Sequence, residues 1–464
     1  MNNDKLPVAV IGAGPIGLAA AAHLLERGET PLVLEAGDAV ARSVREWRHV
    51  SMFSPWEFNV DKAAARLLER GGWRHPPKGD IPTGGDLVAR YLEPLASHPG
   101  LRPHLHLRAR VVGVTRLGYD KVRTAGRADR PFVLRVEGRD DSQRSLEAKA
   151  VIDASGSWTQ PNPAGADGLP AIGEPQASDR IYYGIPDILG ADRWRYEGKS
   201  VAVIGSGHSA LNALIELAAL RQAVPETRLT WITRKENVAA AFGGEEADEL
   251  PARGALGIQM RTIAESGAVR VASQFRVARI ERRRDNSLSI IGGNAERVDA
   301  DQVIVATGFR PDFSFLREIR LTVDPWLESS GIIGPLIDPN LHSCGTVRPH
   351  GANELAHAES GFYIAGMKSY GRAPTFLLAT GHEQVRSIVA ELAGDPGAAA
   401  RVELALPETG VCFSRPAAGR HSTVVDTGQT SCCPVPAAAA EQPAASSCAP
   451  KTQAGSQAPS CRGA

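Results

Sequence analysis

Cysteine is scarce in this chain of 464 residues: of six, none precedes Cys344, and five (Cys412, Cys432, Cys433, Cys448, Cys461) fall near the end. A disulfide framework spreads its cysteines through the fold, so these thiols read as belonging to a tail. Aromatic residues make up only 5% of the chain. Charge of one sign is not in excess either, since 52 Lys and Arg face 52 Asp and Glu. That balance gives no reason to expect nucleic acid or an anionic membrane as partner. No apolar run approaches the ~18 uninterrupted residues of a membrane span. The first apolar stretch lacks a charged n-region and carries regularly spaced glycines, so it reads as core and not as a secretory leader. A cytoplasmic protein is expected. At this length two or three domains are the prior.

What is present is organised around residues 8–35. The run Val8-Ala9-Val10-Ile11 feeds Gly12-Ala13-Gly14-Pro15-Ile16-Gly17, then an apolar helix through Leu18–Leu25, then Leu32-Val33-Leu34-Glu35. This is strand, G-x-G-x-x-G turn, helix and strand. Gly12 permits the turn, Gly14 lets backbone approach a pyrophosphate, and Gly17 lets helix and strand pack closely. The helix N-terminus turns its free N–H groups to the phosphates. Glu35, with Ala36 after it, stands where a carboxylate accepts hydrogen bonds from a ribose 2′-OH, and an acid there disfavours a 2′-phosphate. NAD or FAD fits this site and NADP does not.

Between Arg42 and Asp61 the scarce aromatics gather: Trp47, Phe53, Trp56 and Phe58, with Met52 among them. Such a cluster either plugs a loop onto the core or lines a pocket for a flat ligand. Ala63–Arg70 reads as a short helix, 71–82 as Gly/Pro-rich loop, and Asp86–Leu95 as a second helix. Alternation at Leu105, Leu107, Ala109, Val111 and Val114 predicts a strand, followed by strands at Phe132–Val136 and Ala148–Ile152, a small antiparallel addition. Val151-Ile152-Asp153-Ala154-Ser155-Gly156 is a buried strand ending in small residues that let backbone reach a ligand over the sheet edge. Trp158, Pro161 and Pro163 follow it. A near-duplicate, Val303-Ile304-Val305-Ala306-Thr307-Gly308-Phe309-Arg310-Pro311-Asp312, recurs downstream.

Between the two copies lies a second nucleotide pattern, Ser200–Ile204 and then Gly205-Ser206-Gly207-His208-Ser209-Ala210, with Ala210 where a third glycine would stand. The strand after its helix, Arg228–Ile232, ends in Thr233-Arg234-Lys235 instead of an acid. Guanidinium and ammonium groups pair with a 2′-phosphate, so this site predicts NADPH; the bland alternative is a solvated charge pair at a strand end. One acidic and one basic nucleotide site argue for electron transfer between FAD and NADPH. Beyond Phe313 the chain is loop-rich, and His342, Cys344, His350 and His357 match none of the usual zinc spacings. Phe362–Gly366 is a further strand, followed by Met367. Ala373-Pro374-Thr375-Phe376 opens a helix from Leu377 to Leu392. A strand end beside a helix N-terminus is a seat for the polar face of an isoalloxazine ring, where the helix dipole favours negative charge. From about Pro407 the Ala/Pro/Ser/Gly/Gln composition reads as a disordered tail.

On Gly12/Gly14/Gly17 with Glu35, Gly205/Gly207/Ala210 with Arg234, the paired strands 153–156 and 306–312, and the Gly366 and Pro374 region, the chain resembles flavoproteins with two dinucleotide-binding domains, in particular the flavin-containing monooxygenase-like branch. The resemblance covers about residues 6–392. It implies an α/β fold of two Rossmann-like domains, the NADPH domain inserted into the FAD domain: 1–165 and 309–406 for FAD, 166–308 for NADPH, and 407–464 as tail. The implied cofactor residues are Gly12, Gly14, Pro15, Gly17, Glu35, Ala36, Trp47, Val111, Ala154, Ser155, Gly156, Gly366, Met367, Pro374, Thr375 and Phe376 for FAD. Gly205, Ser206, Gly207, His208, Ser209, Ala210, Thr233, Arg234, Lys235, Thr307 and Gly308 are those for NADPH.

Disulfide reductases of this superfamily need a cysteine pair beside the flavin, which this chain lacks before Cys344. The oxygenases carry a signature of the type F-x-G-x-x-x-H. Here Tyr182–Ile188 puts Ile188 at the histidine, and Met367 replaces the acid that reductases keep. Three functions stay open. The first is a monooxygenase in which NADPH reduces the flavin and O2 then gives a C4a-hydroperoxide that oxygenates a small soft nucleophile (sulfur, nitrogen or a trivalent arsenical), with Asn59 and the 47–58 aromatics as a wall above the flavin. The second is an NADPH-dependent reductase or oxidase acting on quinone or a metal-thiolate. The third is a non-catalytic flavin sensor or thiol metal-binding protein. Vicinal Cys432 and Cys433 resemble the thiol tails of mercury(II) reductases, and the pattern is similar to flavoprotein oxygenases associated with arsenic resistance; soft thiolates suit such metals, or these tail cysteines do nothing. The oligomeric state is left open.

Overall fold

The computed structural model describes residues 5–404 apart from 139, 141, 249, 343–346 and 375. All six cysteines and Thr375 lie outside the described residues.

Strand β1 (Val8–Ile11) runs into helix α1 (Pro15–Glu26) and strand β2 (Pro31–Leu34). Helix α2 (Lys62–Glu69), β3 (Leu105–His106), the antiparallel trio β4 (Arg110–Arg116), β5 (Phe132–Glu137) and β6 (Gln143–Ala148), and then β7 (Ala150–Asp153) follow. The next unit holds β8 (Ile181–Tyr183), β9 (Ser200–Ile204), α3 (His208–Ala223), β10 (Arg228–Ile232), α4 (Pro251–Glu265) and β11 (Arg270–Ala272). It continues with a second antiparallel trio, β12 (Val277–Arg282), β13 (Leu288–Gly292) and β14 (Arg297–Ala300), and then β15 (Gln302–Val305). The chain then returns to the first unit as β16 (Phe362–Ile364) and α5 (Leu378–Leu392).

Two five-stranded parallel sheets result, in the orders β16-β7-β1-β2-β3 and β8-β15-β9-β10-β11. The two orders correspond strand for strand. In the first, Ile11 pairs with Leu34 and Asp153, and Ile364 pairs with Asp153. In the second, Ile204 pairs with Ile232 and Val305, and Val305 with Tyr183. The carboxyl ends of each sheet are therefore level, the edge over which open α/β sheets hold ligands.

Both faces of each sheet are covered, which is why these strands are apolar throughout instead of alternating. Val8 and Val10 pack with α1 and α5, while Ala9 and Ile11 pack with Val114, Phe132 and Leu134 of the first antiparallel trio. Val201 and Val203 pack with α3, while Ala202 and Ile204 pack with Ile280, Leu288 and Ile290 of the second trio.

Several details differ from the sequence expectation. The strand expected over 105–114 is two strands belonging to different sheets. Arg108 adopts a left-handed φ of 53°, and the N–H groups of Arg108 and Ala109 donate to the carbonyls of Gly37 and Glu35, both at 2.8 Å. That docking breaks the strand and carries Val111 toward Glu35. The expected strand Ala148–Ile152 is the junction of β6 and β7, and β6 itself carries no apolar alternation to mark it, since its sequence, Gln-Arg-Ser-Leu-Glu-Ala, is that of a polar, exposed strand. The helix expected at 86–95 spans Gly84–Leu87, a π-helical turn at Val88–Leu92, and Glu93–Ser97. Pro94 has no N–H to offer the carbonyl of Arg90, which accepts from Trp73 Nε1 at 2.8 Å instead.

Candidate active site

The first glycine of each motif is fixed by the neighbouring strand. Gly12 has φ +96°, and a Cβ there would lie 2.8 Å from the carbonyl oxygen of Ala154; Gly205 has φ +136°, and its Cβ would lie 2.3 Å from that of Ala306. Only glycine tolerates both the conformation and the contact. The duplicated small-residue strand ends are thus the partners of the duplicated glycine turns. Gly17 would drive a Cβ to 2.0 Å from the Gly12 carbonyl oxygen. In the second unit Ala210 is accommodated, and the Gly205 carbonyl accepts from Trp231 Nε1 at 2.7 Å.

The second glycines behave differently. A Cβ on Gly14 or Gly207 would meet nothing within 4 Å, because both face open space. Each is the N-cap of its helix, α1 or α3, and neither cap makes a side-chain hydrogen bond nor has an acid in its first turn. The N-terminal N–H groups thus remain available to an anion.

The space they face is a continuous cleft of about 1260 Å³. Its lining includes Gly12, Gly14, Glu35, Ala36, Trp47, Val111, Ala154, Ser155, Gly156, Met367 and Pro374 from one unit, and Gly205, Ser206, Gly207, His208, Ser209, Thr233, Arg234, Thr307 and Gly308 from the other. At one end the Glu35 carboxylate is held by the N–H groups of Ala13 and Gly37, each at 2.7 Å. At the other, the exposed Arg234 guanidinium makes one long contact, 3.5 Å to the carbonyl of Ala166.

Seven expected residues do not line this cleft. Pro15 stands at the first position of α1, and Gly17 and Ala210 are packing positions. The Gly366 N–H donates to Gln384 Oε1 at 2.8 Å. Phe376 packs on Tyr370, ring centroids 5.3 Å apart. The Lys235 ammonium turns to the Ala240 carbonyl at 3.0 Å, and burial, with the Arg234 charge behind it, lowers its pKa. Asn59 is no wall above a flavin. It is fully buried, accepts from Ser54 Oγ, and spends its amide on the carbonyls of Ser54 and Pro55, a local turn bracket.

The aromatic cluster divides between its two readings. Trp56 is core, with the Arg90 guanidinium over its ring, whereas Trp47 and Phe53 line the cleft. Phe53 meets His208. Trp158 and Phe309, from the two strand ends that connect the units, stack with centroids 4.4 Å apart, and Trp158 Nε1 donates to Glu46 Oε2 at 2.6 Å. Gly184 lies beneath them, where a Cβ would approach both rings at 3.5 and 3.7 Å. Ile188, four residues on, is completely buried in the core of the second unit. Among the described residues no group of three or more His, Cys, Asp or Glu could hold a metal ion. His342, His350 and His357 turn to separate partners, Pro335, Tyr370 and Thr322. Cys432 and Cys433 are outside the described residues.

Sequence reasoning missed two features here. One is the Trp158–Phe309 stack with Glu46, whose only signal was an aromatic after each duplicated strand end. The other is the ion pair between Lys368 and Asp153, both completely buried, at 2.7 Å beneath Ser155. An aspartate within an otherwise apolar strand was its signal.

A family match spans residues 9–329 of this chain: pyridine nucleotide-disulphide oxidoreductase. The chain belongs to the pyridine nucleotide-disulphide oxidoreductase family. Like the family, it is an oxidoreductase that uses FAD and a pyridine nucleotide. Solved structures share the fold of this oxidoreductase. A bacillithiol disulfide reductase from Bacillus cereus aligns with TM-score 0.61 and 20% identity, over 84% of this chain and 99% of that one. The cadaverine monooxygenase DfoA from Erwinia amylovora aligns with TM-score 0.60 and 13% identity, over 87% and 98%. A flavin-containing monooxygenase from Stenotrophomonas maltophilia aligns with TM-score 0.51 and 21% identity, over 83% and 99%. No curated protein sequence matches the chain. No helix among the described residues is long and apolar enough to cross a membrane.

The oxidoreductase's residues fit its two cofactors. The open Cα faces of Gly14 and Gly207 are cradles that a Cβ would fill, and the donors around them are backbone N–H groups suited to pyrophosphate.

Proposed function

We propose that the chain is a FAD- and NADPH-dependent monooxygenase that oxygenates a small soft nucleophile, a sulfide, an amine or a trivalent arsenical. The observation that carries this reading is the aromatic lining of the cleft. The cleft is walled by Trp47, Phe53, Trp158 and Phe309, and the sequence supplies no cysteine before Cys344 from which a redox dithiol could be built there.

In this reading Glu35 accepts from the ribose hydroxyls of FAD, and the α1 N-terminus with Gly12 and Gly14 receives its pyrophosphate. Ala154, Ser155, Gly156, Met367 and Pro374 face the flavin end. Gly205, Ser206, Gly207, His208 and Ser209 receive the pyrophosphate of NADPH, Arg234 pairs with its 2′-phosphate, and Thr307 and Gly308 border its path to the flavin. When bound, the two cofactors supply hydride transfer and the reaction with O2. The protein holds the two rings in register and keeps water from the aromatic-walled space between them.

A second reading, an NADPH-dependent reductase or oxidase, is favoured by Ile188, which fills the oxygenases' histidine position with core packing. Labelled O2 separates the two. Incorporation of the label into a sulfide, amine or arsenite, coupled to NADPH consumption, supports the oxygenase. Hydrogen peroxide as the sole oxygen product with every such substrate would turn the assignment to the second reading.

A further inference from the structure

Lys368 and Asp153 are both completely buried, and Lys368 Nζ lies 2.7 Å from Asp153 Oδ2. The ammonium also donates to Ser155 Oγ at 3.1 Å and stands over the rings of Phe315 and Phe313, 4.5 and 5.5 Å from their centroids. Asp153 Oδ1 accepts from the Ser155 N–H at 3.0 Å. Ser155, Phe315 and Met367, the residue before Lys368, all line the cleft. The pair therefore lies directly behind cleft-lining Ser155, at the ends of β7 and β16, on the part assigned above to the flavin. Burial holds the nearby His357 imidazole down to about 4, so it is neutral near pH 7 and brings no third charge to the pair.

A fully buried ion pair is a poor device for stability, because desolvating both ions offsets their attraction. A hydrophobic pair would hold two strand ends together as well. What a hydrophobic pair lacks is a field, and in a low-dielectric floor an unbalanced charge acts strongly on whatever lies above it.

We propose that Lys368 is a positioning residue which, locked to Asp153 and Ser155, sets the electrostatic balance under the flavin and with it the flavin's midpoint potential. This rests on the FAD placement proposed above. Reducing a flavin adds negative charge to the ring. An uncompensated Asp153 carboxylate beneath it disfavours reduction, and an uncompensated Lys368 ammonium favours it.

The test is a dye-equilibrium titration of bound flavin in wild type, Lys368→Met, Asp153→Asn and the double variant. Lys368→Met should lower the ratio of reduced to oxidised flavin at fixed potential at least tenfold, about 30 mV for a two-electron couple. Asp153→Asn should raise it by a similar factor, and the double variant should return it to the wild-type range. A merely structural role would not produce shifts of opposite sign. Shifts of the same sign, or none reaching tenfold, would overturn the proposal. Should a lone buried charge prevent a single variant from folding, Lys368→Arg and the double variant decide. Both keep the net charge, and a tenfold departure in either would overturn it. A purified wild-type chain that retains no FAD would instead overturn the cofactor placement itself.

Discussion

Phe53 and His208 meet across the cleft, ring centroids 5.0 Å apart, and they come from different units of the fold. Phe53 follows β2 of the first sheet, and His208 opens α3 beside Gly207. The imidazole is partly buried, and burial holds its pKa down to about 4, so it is neutral at the place where the pyrophosphate of NADPH is proposed to dock. Phe53→Ala removes an aromatic contact of about 0.5–1.5 kcal/mol. It should also let the His208 pKa rise toward its ordinary value of ~6.5. A pH titration of the His208 ring signals by NMR checks this. An unchanged value would show that Phe53 does not provide the burial.

Cofactor preference should reside in Arg234. Its guanidinium is exposed at the end of the cleft, whereas Lys235 is committed to Ala240. Charge-assisted hydrogen bonds contribute about 1.5–3 kcal/mol. Arg234→Ala is therefore expected to lower kcat/KM for NADPH by about 10- to 100-fold and to leave that for NADH within about twofold. Steady-state kinetics with both nucleotides decide it, and an equal loss for the two would remove Arg234 from the 2′-phosphate.

Glycines of the same motif type should separate folding from binding. Gly17→Ala forces a Cβ to 2.0 Å from the Gly12 carbonyl oxygen, backbone against backbone, and is expected to destabilise the fold by more than about 3 kcal/mol or to prevent it. Gly207→Ala projects its Cβ into open cleft. It should melt within a few degrees of wild type and bind NADPH at least tenfold more weakly, as read by thermal melts and fluorescence titration.

Stability should fall on mild acidification. His350 and His382 are buried, each has an Nε2 without a hydrogen-bond partner among the described residues, and burial holds both down to about 4 from 6.5. The unfolded chain binds more protons than the folded one between these values, so stability is lost as pH falls from 6.5 toward 4. Each histidine contributes up to about 1.4 kcal/mol per pH unit. His208 and His357, which burial also holds down to about 4, act in the same direction, whereas Glu216, which burial pushes up to about 7, has the opposite slope between 4.5 and 7 and offsets one of the four there. Urea unfolding at a series of pH values should give a net loss from 6.5 to 4.5, the four histidines outweighing the one glutamate. A flat profile would contradict the burial of these rings.

The amino-acid sequence by itself determined the two strand–glycine–helix–strand units, the acid that ends one and the cation that ends the other. It also determined the small residues of the strand ends beside them. These are local matters: a turn with positive φ, a helix N-terminus and a fully covered strand each leave a contiguous pattern. The aromatic cluster was visible too, but its division was not, because Trp56 and Phe53 differ only in which neighbours reach them.

What tertiary structure alone decided is which distant side chains meet. Asp153 and Lys368 are 215 residues apart, and Trp158 and Glu46 are 112 apart. The parallel sheet brings β7 beside β16, and the connecting strand ends bring Trp158 under Phe309; no periodicity encodes such a pairing. The same physics removed Asn59 from the cleft. Its amide and carbonyl are satisfied within five residues, so a polar residue that composition offered to the site is spent on its own turn.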